Sequence, residues 1–347
     1  MKQRTFSMAI LLVYLAGVTG CSHKENAILH IEEKRHSKVE NKNRFIATSA
    51  PIIPVGDYII GMDYALDTCF YYLGLENDMF KRFGLRGQGP DEYLYPQLIQ
   101  YINDTILGVY DAMKREYSWI LNPITPDDHP KKGRTILFDQ FSFQILHTCF
   151  DQYVGMGPYE NGMFELYDST GKRINCFYAF PYKDNDEKSI NNRLRAMAYQ
   201  GSTVLNPQKD KMAYACTHGD IIHFYAIKEH AIEVIKKIEN SYPDYVPQTV
   251  GDGIAVAMKK ENKVRYLSLY ATDEFVYALY SGTSASEFLK NNKSFCGDLL
   301  YIYTWNGEIK RKVKLDIECL HICVTHDNKT LYAIAECPDP DLICFEL

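Results

Sequence analysis

Short runs of tyrosine and aliphatic residues, each bounded by acidic or polar turns, recur along most of the chain. The chain contains 27 tyrosines, and aromatic residues make up 13% of its composition. Aromatic and β-branched residues in short runs favour strands over helices. Helical spacing is visible only in two short segments, residues 186–198 and 230–238. The pattern therefore predicts an all-β fold.

The strand pattern repeats with the period of a propeller blade. We assign inner strands to six runs that begin about 45 to 65 residues apart, at residues 57–63, 104–111, 162–168, 211–216, 273–280 and 329–335. Dividing residues 52–347 by six gives about 49 residues per unit, which is enough for a four-stranded blade. A pair of β-sandwiches explains the strands but not their six-fold recurrence. We therefore predict a six-bladed β-propeller.

The N-terminus has the features of a lipoprotein signal peptide. Lys2 and Arg4 precede an apolar run over residues 6–18, which is too short to span a bilayer comfortably. The next residues, Thr19-Gly20-Cys21, complete a sequence that resembles the bacterial lipobox, in which the cysteine is acylated. Ordinary cleavage beside a free cysteine is the alternative. We predict a signal peptide over residues 1–20, a lipidated Cys21 with a polar tether over residues 21–50, and the propeller over residues 51–347.

Charge and cysteine content limit the possible partners and compartments. The chain has 38 Lys and Arg against 44 Asp and Glu, and loss of Lys2 and Arg4 with the signal peptide leaves 36 against 44, a net charge of −8. An acidic body without long basic runs argues against a nucleic-acid partner and against electrostatic binding to anionic lipid. Nine cysteines besides Cys21 are scattered through the chain, which is not the pattern of a disulfide framework. One or two disulfides remain possible.

One glycine-rich stretch stands out between two tyrosine-rich runs. Residues 83–93 read Phe-Gly-Leu-Arg-Gly-Gln-Gly-Pro-Asp-Glu-Tyr. Glycine tolerates positive φ and proline fixes φ, so this composition predicts a shaped loop. The Lys and Ser/Thr of a phosphate-binding loop do not follow it. Two interpretations stay open: a structural turn between two β units, or a contact surface formed by Arg86, Gln88, Asp91, Glu92 and Tyr93.

The same stretch carries a family resemblance. Residues 82–93 resemble the G-x-x-G-x-G-P-x-E-[YF] motif of the TolB-like six-bladed β-propeller lipoproteins of Bacteroidetes, and residues 264–282 are similar to a later blade of that family. The resemblance covers nearly all of the chain that follows the signal peptide. It implies a six-bladed propeller anchored by lipid in the cell envelope. It implies no defined biochemical activity.

Motifs for chemistry are weak. Cys319, His321 and Cys323 would share one face of a regular strand and form the sharpest metal candidate, although the second ligand pair of a structural zinc site is missing. Acids at strand ends could face a central channel and hold calcium, or serve as turn formers: Asp57, Asp63, Asp104, Asp111, Asp168 and Asp273. No Gly-x-Ser-x-Gly elbow occurs. Aromatic residues could stack on a ligand or fill the space between blades: Tyr71, Tyr72, Tyr93, Tyr95, Tyr101 and Trp119.

These observations predict a binding or scaffolding module rather than an enzyme. We expect a propeller that is held at the outer membrane by lipid on Cys21 and that presents loops to an envelope protein or a glycan. Ser22, which follows Cys21, is not the Asp that would retain the protein at the inner membrane. We expect neither a cofactor nor a metal. The alternative function is a calcium-dependent propeller hydrolase or lactonase with its active site at the channel mouth.

Overall fold

The structure is a computed structural model. It describes residues 30–40, 46, 50–64, 66–125, 130–250, 253–336 and 340–347. The predicted signal peptide over residues 1–20 and the predicted lipid-bearing Cys21 lie outside the described residues.

The described chain is built almost entirely of antiparallel strands. Two short strands come first, β1 (Ile31–Lys34) and β2 (Ser37–Lys38). Four successive sheets of four strands follow, and each sheet is one blade. Blade 1 contains β3 (Ile52–Val55), β4 (Tyr58–Met62), β5 (Thr68–Gly74) and β6 (Phe80–Leu85). Blade 2 contains β7 (Pro96–Asn103), β8 (Ile106–Asp111), β9 (Glu116–Leu121) and β10 (Lys131–Leu137).

Blades 3 and 4 have the same order of strands. Blade 3 contains β11 (Gln144–His147), β12 (Tyr153–Met156), β13 (Phe164–Tyr167) and β14 (Arg173–Phe177). Two short helices, α1 (Asn185–Lys188) and α2 (Asn192–Ala198), lead to blade 4. Blade 4 contains β15 (Gly201–Leu205), β16 (Lys211–Cys216), β17 (Asp220–Lys228) and β18 (Ala231–Ser241). A separate hairpin of β19 (Tyr245–Val250) and β20 (Gly253–Met258) comes next.

The last two blades share one long strand. Blade 5 begins with β21 (Tyr266–Ala271) and β22 (Phe275–Tyr280), and helix α3 (Ala285–Asn291) leads to β23 (Gly297–Thr304). Strand β24 (Ile309–Val324) pairs with β23 through its first half. Its second half pairs with β25 (Thr330–Glu336), and β26 (Pro340–Glu346) follows in blade 6. The eight-stranded sheet that results is therefore two blades joined through β24.

Contacts between inner strands close the ring. The strands β3, β7, β11, β15, β21 and the second half of β24 each contact the next one, and β24 contacts β3. This closed series gives six blades around one channel, as the sequence predicted. The hairpin between β23 and β24 turns at Asn306-Gly307, with Gly307 at φ +78°, and residues 168–172 form the turn between β13 and β14.

The N-terminal strands pair with the last two blades and complete their sheets. Strand β2 pairs antiparallel with β26 and completes blade 6, while β1 pairs parallel with the first half of β24. Arg311 on β24 donates to both carboxylate oxygens of Glu32 on β1, at 2.8 and 2.6 Å. The segment predicted as a tether over residues 21–50 therefore contains two strands of the propeller. Because these strands cover a sheet edge, they protect it from pairing with another chain.

Two sequence assignments need correction. Five of the six runs assigned as inner strands are the second strands of their blades, and the sixth, residues 162–168, overlaps the third strand of blade 3. Second strands are buried on both faces between neighbouring blades, so they have the most continuous apolar sequence, whereas inner strands border the channel and include polar residues. Residues 230–238, assigned as a possible helix, form part of β18, while residues 186–198 contain most of α1 and all of α2.

The core consists of aromatic and aliphatic side chains packed between the blades. The largest fully buried side chains are nearly all tyrosines, among them Tyr71, Tyr72, Tyr110, Tyr117, Tyr153 and Tyr214. Face-to-face packing of twisted sheets leaves wide gaps that large rings fill. No disulfide joins any two of the eight described cysteines, and five of the eight are buried. The tyrosine content is thus explained by blade packing rather than by ligand binding.

Candidate functional site

The helices, the extra hairpin and the glycine-rich loop that connect the strands all lie on one face of the propeller. Because strands within a blade are antiparallel, the connections between blades lie on the face where the inner strands begin, and so do the turns between second and third strands. We call this the top face, and the opposite one the bottom face. The top face carries α1 and α2, the β19–β20 hairpin, α3 and the glycine-rich loop between β6 and β7.

The glycine-rich loop is closed by its own hydrogen bonds. Gly87 N donates to Tyr93 O at 3.0 Å, and Tyr93 N donates to Leu85 O at 2.9 Å. The Glu92 carboxylate accepts from Gly89 N at 2.8 Å. A Cβ at Gly87 would overlap this carboxylate, which explains the glycine there. The loop is therefore shaped by its sequence, as its composition predicted.

Two charged residues of blade 2 hold the glycine-rich loop in place through hydrogen bonds to its backbone. The Asp111 carboxylate is buried and accepts from Leu94 N at 2.6 Å and from Tyr95 N at 3.1 Å. Lys114 Nζ donates to Gly89 O and Glu92 O, at 2.6 and 2.5 Å. Charge-assisted bonds of this kind are stronger than neutral ones, so the loop is fixed without a ligand.

The five predicted contact residues divide into two groups. Tyr93 is 3% exposed, and its ring packs edge-on against Phe70 at 5.0 Å, inside the core. Glu92 is half-buried and closes the loop as described. Arg86, Gln88 and Asp91 are exposed. These last three are the exposed members of the set, so a contact role for the loop would rest mainly on them.

Exposed apolar side chains surround Arg86. Arg86 N donates to Asp67 O at 2.8 Å, which brings the loop beside the turn that carries Leu66, and Ala112 N donates to Tyr95 O at 3.1 Å, which brings Tyr95 beside Met113. The exposed fractions are 55% for Leu85, 48% for Tyr95 and 63% for Met113. We call Leu66, Leu85, Arg86, Tyr95 and Met113 the blade 1–2 patch. Among the described residues, Arg86 pairs with no carboxylate.

The central channel holds a cavity of about 160 Å³ that all six inner strands line. Its described wall contains amide, hydroxyl, imidazole and apolar side chains but no Asp, Glu, Lys or Arg. His321, on β24, is half-buried in this wall. Protein surrounds its ring, and this burial lowers the pKa of His321 to about 4, so the ring is neutral at pH 7.

Several channel side chains join neighbouring blades. Gln144 Oε1 on β11 accepts from both the backbone N and the hydroxyl of Thr203 on β15, each at 2.8 Å. Gln100 on β7 exchanges two 2.8 Å bonds with the backbone of His147 on β11. Ser268 Oγ on β21 accepts from Ile322 N on β24 at 3.3 Å. These residues fix the spacing of the inner strands and so the width of the channel.

The acids considered as calcium ligands serve turns and ion pairs instead. Asp63 is buried and pairs with Arg82 at 2.8 Å. Asp168 accepts from the backbone N of Thr170 and of Lys172 in its turn, and Asp104 accepts from the Tyr101 hydroxyl at 2.6 Å. None of the six lines the channel. In the part of the chain that the structure describes, no three His, Cys, Asp or Glu side chains are grouped as metal ligands.

Strand β24 carries Cys319, His321 and Cys323 but does not place their three side chains at one site. A β-bulge lies between Cys319 and His321, where the pairing with β25 shifts register. Cys319 packs in the core cluster that includes Leu300, while Cys323 packs in a different cluster. A bulge breaks the strict alternation on which the metal hypothesis depended. His321 faces the channel alone.

Sequence reasoning did not find the channel residues. Gln97, Gln144 and Ser202 lie at or near the starts of three inner strands and were not singled out. No local motif marks them, because strands from separate blades bring them together. Of the channel wall, only His321 and Tyr101 were among the candidates, for a metal and for stacking respectively.

The family model described as TolB-like 6-blade propeller-like matches residues 31–327. The chain belongs to this family. The match begins at the first residue of β1, in agreement with the role of the N-terminal strands in this TolB-like propeller. No curated protein matches the chain.

Two solved structures show the same fold at low identity. One is a member of the DUF4221 family from Bacteroides vulgatus ATCC 8482, with a TM-score of 0.55, 12% identity, and coverage of 92% of this chain and 96% of that one. The other is a protein of Bacteroides fragilis NCTC 9343 described as exported, with a TM-score of 0.53, 9% identity, and coverage of 90% and 94%. At such identity the likeness shows the fold alone. Among the described residues, no helix is long and apolar enough to cross a bilayer.

Proposed function

We propose that this TolB-like propeller is a lipid-anchored binding module of the cell envelope, held at the outer membrane through Cys21. Its blade 1–2 patch contacts an envelope protein, and no chemistry is required of it. The observation that supports this proposal is the rigid top-face loop, whose hydrogen bonds hold Arg86 beside exposed Leu85 and Tyr95 in the absence of any ligand. A preformed surface loses little conformational entropy on binding.

The composition of the patch supports a protein partner. Exposed tyrosine, methionine and arginine are the residue types enriched in protein interfaces. Arg86 has no carboxylate partner among the described residues, so it can pair with one on another protein. The described channel wall contains no carboxylate that could hold calcium, which favours a binding module over the calcium-dependent hydrolase.

Two variants with matched exposure test the patch. Tyr95→Ser removes an apolar side chain from the top face, and Phe150→Ser removes one with 41% exposure from the bottom face, between β11 and β12. Both proteins are expressed at full length with a C-terminal tag and purified from detergent-solubilised envelopes. We expect Tyr95→Ser to reduce a stoichiometric co-purifying protein at least several-fold and Phe150→Ser to leave it unchanged. Equal recovery from both variants would contradict the proposal.

The anchor is tested separately. In cells fed an alkyne-bearing fatty acid, we expect the wild-type protein to become labelled and to sediment with the outer membrane. Cys21→Ala should be unlabelled and should be lost from the lipoprotein fraction. Labelling of the Cys21→Ala protein would contradict lipidation at this cysteine.

A further inference from the structure

Around the channel, several polar side chains have no partner. Gln97 on β7, Ser202 on β15 and His321 on β24 all line the cavity. Within the described residues, none of these three side chains makes a hydrogen bond. The amide nitrogen of Gln144 is also unused, because only its oxygen bonds to Thr203. We call these four residues, which come from blades 2, 3, 4 and 6, the channel collar.

Below the collar the wall is mainly apolar and aromatic, and its polar members Gln100 and Asn206 already bond to other protein groups. Ile99, Leu146 and Leu205 line this part of the cavity together with Tyr101 and Tyr270. Tyr101 belongs to blade 2 and Tyr270 to blade 5, which lie on opposite sides of the ring. The cavity thus combines hydrogen-bonding groups near the top face with an apolar lower wall.

Charge and volume restrict what the cavity accepts. A charged ligand would be buried without a counter-charge, since the described wall contains none, and that burial is costly. A volume of 160 Å³ corresponds to roughly five water molecules at their liquid share of about 30 Å³ each. A single sugar ring displaces a similar number of waters. Its hydroxyls need donors and acceptors of the kinds that amide, hydroxyl and neutral imidazole groups supply.

We propose that the channel is a binding site for one neutral sugar ring, whose hydroxyls bond to the collar residues Gln97, Gln144, Ser202 and His321 and whose apolar face lies against the lower wall. This inference deepens the proposed function by naming a ligand class, and it rests on that function only in treating the propeller as a binding module. The channel and the blade 1–2 patch share no residue.

The test uses the full-length protein in a detergent without a sugar headgroup. Isothermal titration with glucose, galactose, mannose and N-acetylglucosamine is compared with titration of glucosamine and glucuronate, which carry a charge. We expect one of the neutral sugars to bind with 1:1 stoichiometry and at least tenfold more tightly than its charged analogues. Gln97→Met and His321→Phe preserve side-chain size and should weaken this binding at least tenfold. Gln88→Met, on the exposed loop, should leave it unchanged.

Two outcomes would overturn the proposal: saturable binding by none of the four neutral sugars, or binding that Gln97→Met and His321→Phe leave intact. Circular dichroism of each variant checks the fold. Because Gln97 is half-exposed, Gln97→Met changes the channel wall without changing the core. Co-purification through Tyr95 is measured on the same samples. If the wild type binds no sugar but still co-purifies a protein that Tyr95→Ser loses, only the channel site is refuted. If the wild type binds a sugar but Tyr95→Ser leaves co-purification unchanged, only the patch is refuted.

Discussion

At the scale of single residues, Glu92 illustrates how one side chain shapes the candidate surface. Its carboxylate closes the glycine-rich loop through Gly89 N, while its carbonyl accepts from Lys114. The sequence predicted a shaped loop here from glycine and proline alone. It did not assign Glu92 to the inside of the loop, because nothing in the local pattern shows which acid turns inward.

We predict that Glu92→Ala lowers the free energy of unfolding by about 1–2 kcal/mol, because a charge-assisted bond to the backbone is lost and Gly89 N is left without a partner. Arg86→Ala is the control: its side chain is exposed, and the change should stay within about 0.5 kcal/mol. Thermal and urea melts of the two variants measure this. Equal melting of Glu92→Ala and the wild type would show that the loop is held without Glu92.

His321 gives a prediction on pH. Its pKa is about 4 in the folded protein and near 6.5 in an unfolded chain, so the unfolded state gains protons first as pH falls. Above pH 6.5 the ring is neutral in both states and the free energy of unfolding is not reduced. As the pH falls from 6.5 to 4, protonation of His321 in the unfolded chain lowers the free energy of unfolding progressively, by up to about 3 kcal/mol. Among the described residues, no carboxylate or cation lines the channel wall to offset this shift.

The measurement is urea unfolding of the wild type and His321→Phe at several pH values. Three other histidines, His147, His218 and His223, also have pKa values lowered by partial or full burial, and they remain in both proteins and cancel in the difference. The variant should lose less stability on acidification from pH 6.5 to 4. Parallel pH profiles would mean that the His321 ring is readily solvated.

At the scale of elements, the N-terminal strands determine whether the ring is complete. Strand β2 covers the edge of β26 and β1 covers the edge of β24. The sequence predicted a tether here, since residues 22–44 are polar and charged. Polar residues suit edge strands, where only backbone bonds and a few ion pairs such as Glu32–Arg311 hold the segment. Composition alone does not separate such a strand from a linker.

A pair of truncations tests this closure. A chain that begins at His30 retains β1 and β2, whereas one that begins at Val39 lacks both. We expect the first to melt like the mature protein. The second should lose more than about 2 kcal/mol, several degrees in melting temperature, because two sheet edges are exposed and Arg311 loses its partner. Melts in a lipid-free form compare them directly, and identical melting points would contradict the role of these strands.

Strand assignment shows the limit of sequence patterns at this scale. The number and period of the blades were predictable because each blade repeats one buried, tyrosine-rich strand. The pattern marked the second strand rather than the inner one, since the second strand is the most buried. Inner strands, which form the channel, have a mixed pattern and no distinct period. The channel collar was therefore outside the reach of the pattern.

At the scale of the whole molecule, the fold follows from six repeated sequence units, whereas the candidate site forms only when loops of neighbouring blades come together. Six units of similar length were enough to predict the propeller. Arg86 and Tyr95 were candidates from the sequence, but their position beside Leu66 and Met113 could not be predicted, because backbone bonds between separate loops bring these residues together. Long-range pairing of this kind leaves no local trace in the sequence.

The whole propeller also gives a prediction on calcium. The described channel wall has no carboxylate, so the purified protein should contain no stoichiometric calcium, and added calcium should leave its melting temperature unchanged. Elemental analysis of protein purified without chelator, followed by calcium titration with thermal melts, measures both. Stoichiometric calcium that raises the melting temperature would support the hydrolase instead.

The central claim is that the top face at blades 1 and 2 contacts another envelope protein, and site-specific photo-cross-linking in living cells tests it most directly. A photoreactive phenylalanine analogue replaces Tyr95 on the top face or Phe150 on the bottom face, both at exposed positions. We predict a discrete cross-linked species from position 95 that is absent from position 150. No cross-link at position 95, or the same species from both positions, would contradict the claim.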